Sequence, residues 1–242
     1  MNEMTDGHIV TSYNNELNHL HQLVIRIKDL ACKQVREAAQ SLEDEDVELA
    51  GSVIVSDREI DELDVQADEE IIRLIAKRQP VARDLREIMS VAKIVADLER
   101  IGDQARRLAR LTIRFYDGDV SPPNSRLLDD LNKMAAYVNV MVDDSVNAFD
   151  NLDLELALDV IRRDDQVSED FRSALRRLST FMMEDARSVG HIVDVVLGLR
   201  AMERVGSHAK NISRCVVYLV KGKDVRHKDL DAVKAEIIAA SE

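Results

Sequence analysis

Apolar residues recur at every third or fourth position from Leu85 to Leu108, at Leu85, Ile88, Ala92, Val95, Leu98, Ile101, Ala105 and Leu108. That period places one apolar stripe along a helix and predicts a bundle helix burying one face. An earlier segment repeats the period at Val53, Ile60, Leu63, Ala67, Ile71 and Leu74, and halts at "KRQP", where Pro80 disfavours a helical residue before it. A first segment, from about Asn14 to Leu42, turns at "LEDED". The stretch "YDGDVSPPNS" (116–125) holds two of the three prolines, and three more helical segments follow, at about 126–149, 153–187 and 189–220. Gly222 is placed to cap the last of them.

The second set of three copies the first. An offset of 107 lays "DVELAGSVIVSD" (46–57) on "DLELALDVIRRD" (153–164), and carries Leu20 onto Leu127, Val35 onto Val142 and Leu74 onto Phe181. Beyond Pro80 the offset falls to 104, so that Glu99, Arg100, Gly102 and Ala105 of "DLERIGDQARRLAR" meet Glu203, Arg204, Gly206 and Ala209 of "AMERVGSHAKNISR". A three-residue deletion near residue 188 accounts for the change. Self-similarity of this kind is the mark of a duplicated supersecondary unit. The expected architecture is all-α: six long helices as two tandem three-helix bundles, 9–116 and 124–222, followed by a tail, 223–242.

Composition agrees with that class. Hydrophobic residues make up 45% and charged residues 33% of the 242, with no tryptophan and four phenylalanines, a mixture poor in the aromatics that sheets favour. The formal net charge of −13 speaks against sequence-independent nucleic-acid binding, which needs clustered excess Lys and Arg. No apolar run of 18 residues occurs and the N-terminus lacks the pattern of a signal peptide, so a cytoplasmic protein without direct membrane insertion is expected. Cys32 and Cys215 are read as reduced core thiols.

Charge placement suggests one chemistry. Asp57, Asp61, Asp64 and Asp68 are spaced four, three and four, so their carboxylates leave one face of the second helix; Glu99 and Asp103 lie one turn apart on the third. Like charges so spaced oppose the helix, and a cation bridging the two helices would relieve them. An oxygen-only donor set suits Mg, Mn or iron-type ions. Spacing alone favours the plainer reading over metal, a solvated face on a protein acidic throughout.

Other motifs are sparse. A carboxylate di-iron enzyme needs two Glu-x-x-His pairs. Only "ELNH" (Glu16 to His19) has that spacing, and its repeat position is Pro123. No P-loop, HExxH, GxSxG or GxGxxG occurs. His208 is read as a surface histidine, with metal ligation the alternative. Arg106, Arg107, Arg110 and Arg114 near a helix C-terminus are read as complementing the helix dipole, with docking to an acidic partner the alternative.

Five phrases, "IAKRQPVARDLREIM", "VADLERIGDQA", "STFMMEDARS", "AMERVGSHAKNI" and "YLVKGKDVRH", follow the order of the PhoU family, which the chain resembles from about residue 9 to 227. The resemblance implies two PhoU bundles related by a pseudo-twofold axis. It implies a non-enzymatic, cytoplasmic negative regulator of the phosphate-starvation response and of phosphate uptake. Such a protein links the ATPase subunit of a phosphate ABC transporter to a sensor histidine kinase, and dimerises. Some members bind metal clusters through a repeated Glu/Asp-x-x-x-Asp motif. Carried onto this sequence, the motif falls on Glu99 and Asp103, with Asp57 and Asp61 as neighbours. In the second half it falls on Glu203 and Ser207, with Asp164 retained and Asp61 matched by Ser168, so the second site is expected to be the weaker.

Overall fold

The periodic segments are helices in the computed structural model, which describes residues 11–117, 122–222 and 224–225. The six are α1 (Thr11–Glu43), α2 (Val47–Arg78), α3 (Ala82–Tyr116), α4 (Asp129–Asn151), α5 (Leu154–Glu184) and α6 (Val189–Lys221), and no strand occurs among the described residues. Residues 9–10 of the first expected bundle, and the tail from 226, lie outside the described residues.

The duplication is visible in the local chemistry that starts and stops these helices. The Asp46 side chain accepts a hydrogen bond from the Leu49 N–H, and the Asp153 side chain accepts one from Leu156 N–H, so α2 and α5 open with the same cap. Gly222 ends α6 at φ 68°, its N–H donating to the Tyr218 carbonyl, a left-handed position that glycine takes without penalty. The three-residue difference between the halves is taken up at the start of the third helix: Glu99 stands 17 residues beyond the first residue of α3, and Glu203 only 14 beyond that of α6. Residues 79–81 separate α2 from α3, whereas Asp185 and a single 3-10 turn, Ala186–Ser188, separate α5 from α6. α5 therefore ends before the expected residue 187, because the Asp185 carboxylate accepts from the Arg187 N–H and offers the backbone an alternative to the helix. α4 likewise starts at Asp129 rather than 126, after a 3-10 turn (Ser125–Leu127) held by the Asn124 side chain.

Within each half the third helix is central. α3 packs on α1 and α2, and α6 on α4 and α5; the halves join through α3 against α6 and α1 against α4. One continuous apolar core runs through both halves, from Leu17 and Val24 to Val216. Burying apolar area at about 25 cal/mol per Å² is the main force holding such layers together.

The expected stripes are buried except at two positions of α3, Leu85 and the half-buried Ala92. Leu85, in the first turn of α3, is 38% exposed. A second buried line on α3 is polar and was hidden from an apolar pattern: Ser90, Asp97 and Gln104, seven residues apart, continue to Leu111. A seven-residue repeat is the period at which two helices keep the same faces together. Asp97 meets His208 of α6, and Leu111 lies against Gly198 of α6, so this line faces the other half. A Cβ at Gly198 would stand 3.0 Å from a Leu111 methyl and 2.9 Å from a Leu131 methyl, so glycine lets α6 approach its neighbours without displacing those side chains.

Candidate functional site

The repeated phrase sits where the third helix of each half crosses the second. In the first half, Asp57 of α2 is only 2% exposed, and its Oδ2 lies 2.6 Å from Nη1 of Arg106 on α3. The other arm of the Arg106 fork reaches Asp103. The contact with Asp57 is ionic: neither that oxygen nor Arg106 Nε completes a hydrogen bond of good geometry. In the second half, Asp164 of α5 takes the place of Asp57, and its Oδ2 accepts from Lys210 Nζ at 2.7 Å. Lys210 occupies the repeat position of Arg106. Ser207, at the repeat position of Asp103, has its hydroxyl 3.3 Å from Asp164 Oδ1 and 3.2 Å from the Glu203 carbonyl.

This supplies a physical reason for the Asp-to-Ser difference between the two copies. A guanidinium presents a fork that serves two carboxylates at once, whereas an ammonium is a compact point charge. Where Arg106 stands, two carboxylates are balanced; where Lys210 stands, one carboxylate and a neutral hydroxyl remain. Position 103/207 and position 106/210 have changed together, and each half keeps a buried, charge-compensated link between its second and third helices. Gly102 and Gly206 belong to the same crossing. A Cβ at Gly102 would meet Ile60, Asp57 and Gln34 at 3.0–3.1 Å, and one at Gly206 would meet Val167 at 3.3 Å.

The remaining first-half carboxylates crowd the same crossing. Burial, followed by the negative charge of Asp103, Asp64 and Asp61, raises the pKa of Glu99 above the ordinary glutamate value. Burial raises Asp64 as well, with Asp68 and Asp61 adding to it. Asp57 is raised by burial and by Asp61 and Asp103, against the opposing pull of Arg106 and Arg110. Asp61 itself is exposed. Glu203 pairs with Arg200 one turn earlier on α6. Oxygen donors of this kind suit a hard cation in chemistry, but Asp57, Asp103, Asp164 and Glu203 as placed pair with arginine or lysine. Among the described residues, no group of three or more His, Cys, Asp or Glu side chains is arranged to hold a metal ion.

Two expectations about single residues need correction. His208 is not a surface histidine: its Nδ1 is 2.8 Å from Oδ1 of the buried Asp97, joining α6 to α3 across the two halves. The arginine run is not a uniform helix-end feature. Arg106 turns inward to the carboxylates, Arg114 pairs with Asp194 of α6 at 2.9 Å, and only Arg114 lies in the last turn of α3. Glu16 and His19 engage separate partners on α2: Glu16 binds Lys77 and Arg78, which pull its pKa down to about 2, and His19 lies 3.2 Å from Glu70. Both cysteines are buried and neither forms a disulfide, and burial pushes the Cys32 thiol up to about 12.

The duplicated crossing, the shared caps and the pairing of the two third helices can be set against known proteins. The family model described as "PhoU domain" matches residues 24–112 and 131–216, one match in each half. The chain belongs to the PhoU domain family. It is 40% identical to the "Phosphate-specific transport system accessory protein PhoU homolog" of Pseudomonas putida, over 97% of this chain and 91% of that protein. It is 33% identical to the "Phosphate-specific transport system accessory protein PhoU" of Escherichia coli, over 91% of this chain and 90% of that one. The crystal structure of PhoU from Pseudomonas aeruginosa is similar at a TM-score of 0.81 and 38% identity, covering 87% of this chain and all of that one. Each PhoU repeat contains one of the Asp–Arg or Asp–Lys crossings, so the link lies inside the family's repeating unit. Arg106, Lys210 and Asp97 were not singled out from the sequence as partners of buried groups. The signal available for Arg106 and Lys210 was that both are basic and stand at the same repeat position.

Proposed function

We propose that the chain is a cytoplasmic accessory regulator of phosphate transport that holds phosphate-starvation genes off when phosphate is plentiful. In this reading it acts as a non-enzymatic adaptor between the ATPase subunit of a phosphate ABC transporter and a sensor histidine kinase. The observation that carries the reading is the match, over nearly the whole chain, to relatives named as phosphate-specific transport system accessory proteins. The absence of a helix long and apolar enough to cross a membrane, among the described residues, accords with a partner that works beside a transporter. Long helices with few loops offer broad docking faces, and exposed Val81, Leu85 and Met89 on or beside the start of α3 supply apolar area for the homodimer that belongs to this reading. The test is a phosphatase reporter of the starvation response in a strain lacking this chain, grown at high phosphate. Constitutive expression, reversed by the intact gene, is the expected result. Normal repression removes the kinase branch, and altered uptake with repression intact assigns a modulator of the transporter alone.

A second reading is favoured by one observation, the raised pKa of Glu99 and Asp64 among like charges. Divalent or iron-type metal would be bound at Glu99 and Asp103, with Asp57 and Asp61 beside them, and less strongly at Asp164 and Glu203. A bound cation would supply positive charge that Arg106 does not extend to Glu99. Elemental mass spectrometry of untagged protein, wild type against Glu99→Gln/Asp103→Asn, checks it: metal lost in the variant supports the reading, and wild type without metal after metal loading removes it.

A further inference from the structure

Beside the carboxylate crossing, the two third helices enclose a feature of opposite sign. A groove of about 340 Å³ runs between α3 and α6. Five arginines line it, Arg107, Arg110 and Arg114 from α3 with Arg200 and Arg204 from α6, and the single acid among its lining residues is Asp194. Two of the five are compensated: Arg114 by Asp194, and Arg200 by Glu203. Among the described residues, no carboxylate lies within ion-pair distance of Arg107, Arg110 or Arg204; Arg107 reaches only the Gln104 amide oxygen, at 3.3 Å. All three are exposed. Three guanidinium groups without a carboxylate in ion-pair contact, facing one groove on a chain of net charge −13, form a local field that the composition conceals.

The duplication provides an internal control. The repeat positions of Arg107, Arg114 and Arg200 are Asn211, Tyr218 and Ala96; only Arg110 and Arg204 keep a basic match, in Arg214 and Arg100. At that end Lys93 lies over the Tyr218 ring, and Arg100 lies 3.8 Å from Asp97. The pairing of α3 with α6 is thus present at both ends of the pseudo-twofold arrangement, and the arginine concentration at one. Helix packing therefore does not account for it.

We infer that the groove between α3 and α6 binds a small polyanion built of linked phosphoryl groups. Several constraints favour that class. Every basic residue of the groove is arginine, whose planar fork matches the oxygens of phosphoryl groups two at a time. The α3 arginines span seven residues, roughly 10 Å of helix rise, and the α6 pair spans about 6 Å, so the charge is spread along a line. A single orthophosphate cannot meet a line of that length, whereas a chain of phosphoryl groups can. The volume lies at the low end of small-molecule sites, roughly 300–1,000 Å³, and leaves no room for a docked helix. Buried Leu111 and Gly198 form an apolar floor that lowers the local dielectric beneath the guanidinium groups, with exposed Leu197 at the rim.

The inference needs neither the transporter nor the kinase, so its failure would leave the adaptor reading untouched, and failure of that reading would leave the groove. Isothermal titration calorimetry on the full purified chain at low ionic strength tests it, with tripolyphosphate, pyrophosphate, orthophosphate, sulfate and hexaglutamate as probes. Tripolyphosphate should saturate one site per chain, roughly tenfold or more tighter than orthophosphate or sulfate, and weaken as salt is added. Arg110→Gln/Arg204→Gln should weaken it roughly tenfold or more, because two of the three uncompensated charges are removed. Arg100→Gln, at the other end of the duplication, should leave it unchanged. Unchanged circular dichroism in the exposed double variant separates lost binding from lost folding. Absence of saturable binding, equal loss in Arg100→Gln, or hexaglutamate binding as tightly as tripolyphosphate would overturn the inference, the last by assigning the groove to acidic peptides.

Discussion

Removing Arg106 tests the charge compensation at the repeated crossing. In Arg106→Met, Asp57, 2% exposed in the wild type, keeps the negative charges of Asp61 and Asp103 around it, with only the weaker pull of Arg110 against them. Truncating one partner of a fully buried ion pair costs about 3–5 kcal/mol. The Arg106 side chain is 29% exposed, so water screens part of that charge and admits partial relaxation; about 2–3 kcal/mol is expected. For a chain of this size that corresponds to a fall in Tm of roughly 5–10 °C. Lys210→Met should cost less, about 1–2 kcal/mol, because the Ser207 hydroxyl remains within reach of Asp164. The double variant Asp57→Asn/Arg106→Met removes both charges and should recover most of the loss, giving a coupling energy of about 1.5 kcal/mol or more. Urea unfolding at pH 7.5, followed by circular dichroism, measures these three variants together with Asp57→Asn alone, which completes the cycle. An Arg106→Met cost under about 0.5 kcal/mol, or additive single effects, would refute the reasoning.

Other consequences follow from the same crossing and its surroundings. Gly102→Ala gains about 1 kcal/mol in helix propensity but forces a methyl to within 3.0–3.1 Å of Ile60, Asp57 and Gln34, so net destabilisation of about 1 kcal/mol is expected by thermal unfolding; Gly206→Ala, against Val167 at 3.3 Å, should be near neutral. Asp57, Asp64 and Glu99 hold raised pKa values, so the native state binds more protons than the unfolded one in mildly acidic solution. Their contribution to stability is fully present below the ordinary carboxylate range and lost as pH rises through the raised values. Asp64→Asn/Glu99→Gln should therefore raise Tm at pH 8 and change it little near pH 4. Glu16 acts in the opposite sense: its salt bridge is lost as pH falls from the ordinary glutamate range toward about 2, so Glu16→Gln should destabilise at pH 7 and have little effect at pH 2. Asp46→Ala and Asp153→Ala each remove the same cap and should each cost about 1 kcal/mol in urea unfolding.

The helices were legible in the sequence because each buries an apolar stripe of helical period, and the duplication because both copies preserve the groups that start and cross those helices. Asp46 and Asp153, Gly102 and Gly206, and Asp57 and Asp164 recur for reasons that the coordinates make explicit. The pairing of Asp57 with Arg106 was not legible, since spacing along one helix says which carboxylates share a face but not which cation on another helix meets them. Ser90, Asp97 and Gln104 were invisible for a different reason: apolar periodicity counts no polar residue as buried, yet this line packs toward the other half. The same holds for His208, whose partner is the buried Asp97. Leu85 belongs to the stripe by period, yet the first turn of α3 leaves it partly exposed, because a periodic pattern does not record where packing begins.

The adaptor reading is tested most directly by measuring binding of the full purified chain to each proposed partner in turn by biolayer interferometry, using the transporter ATPase subunit and the cytoplasmic region of the sensor kinase. An adaptor must bind both, and a ternary complex must form when the two are present together. Binding to neither, or strict competition between them for one surface, would contradict it.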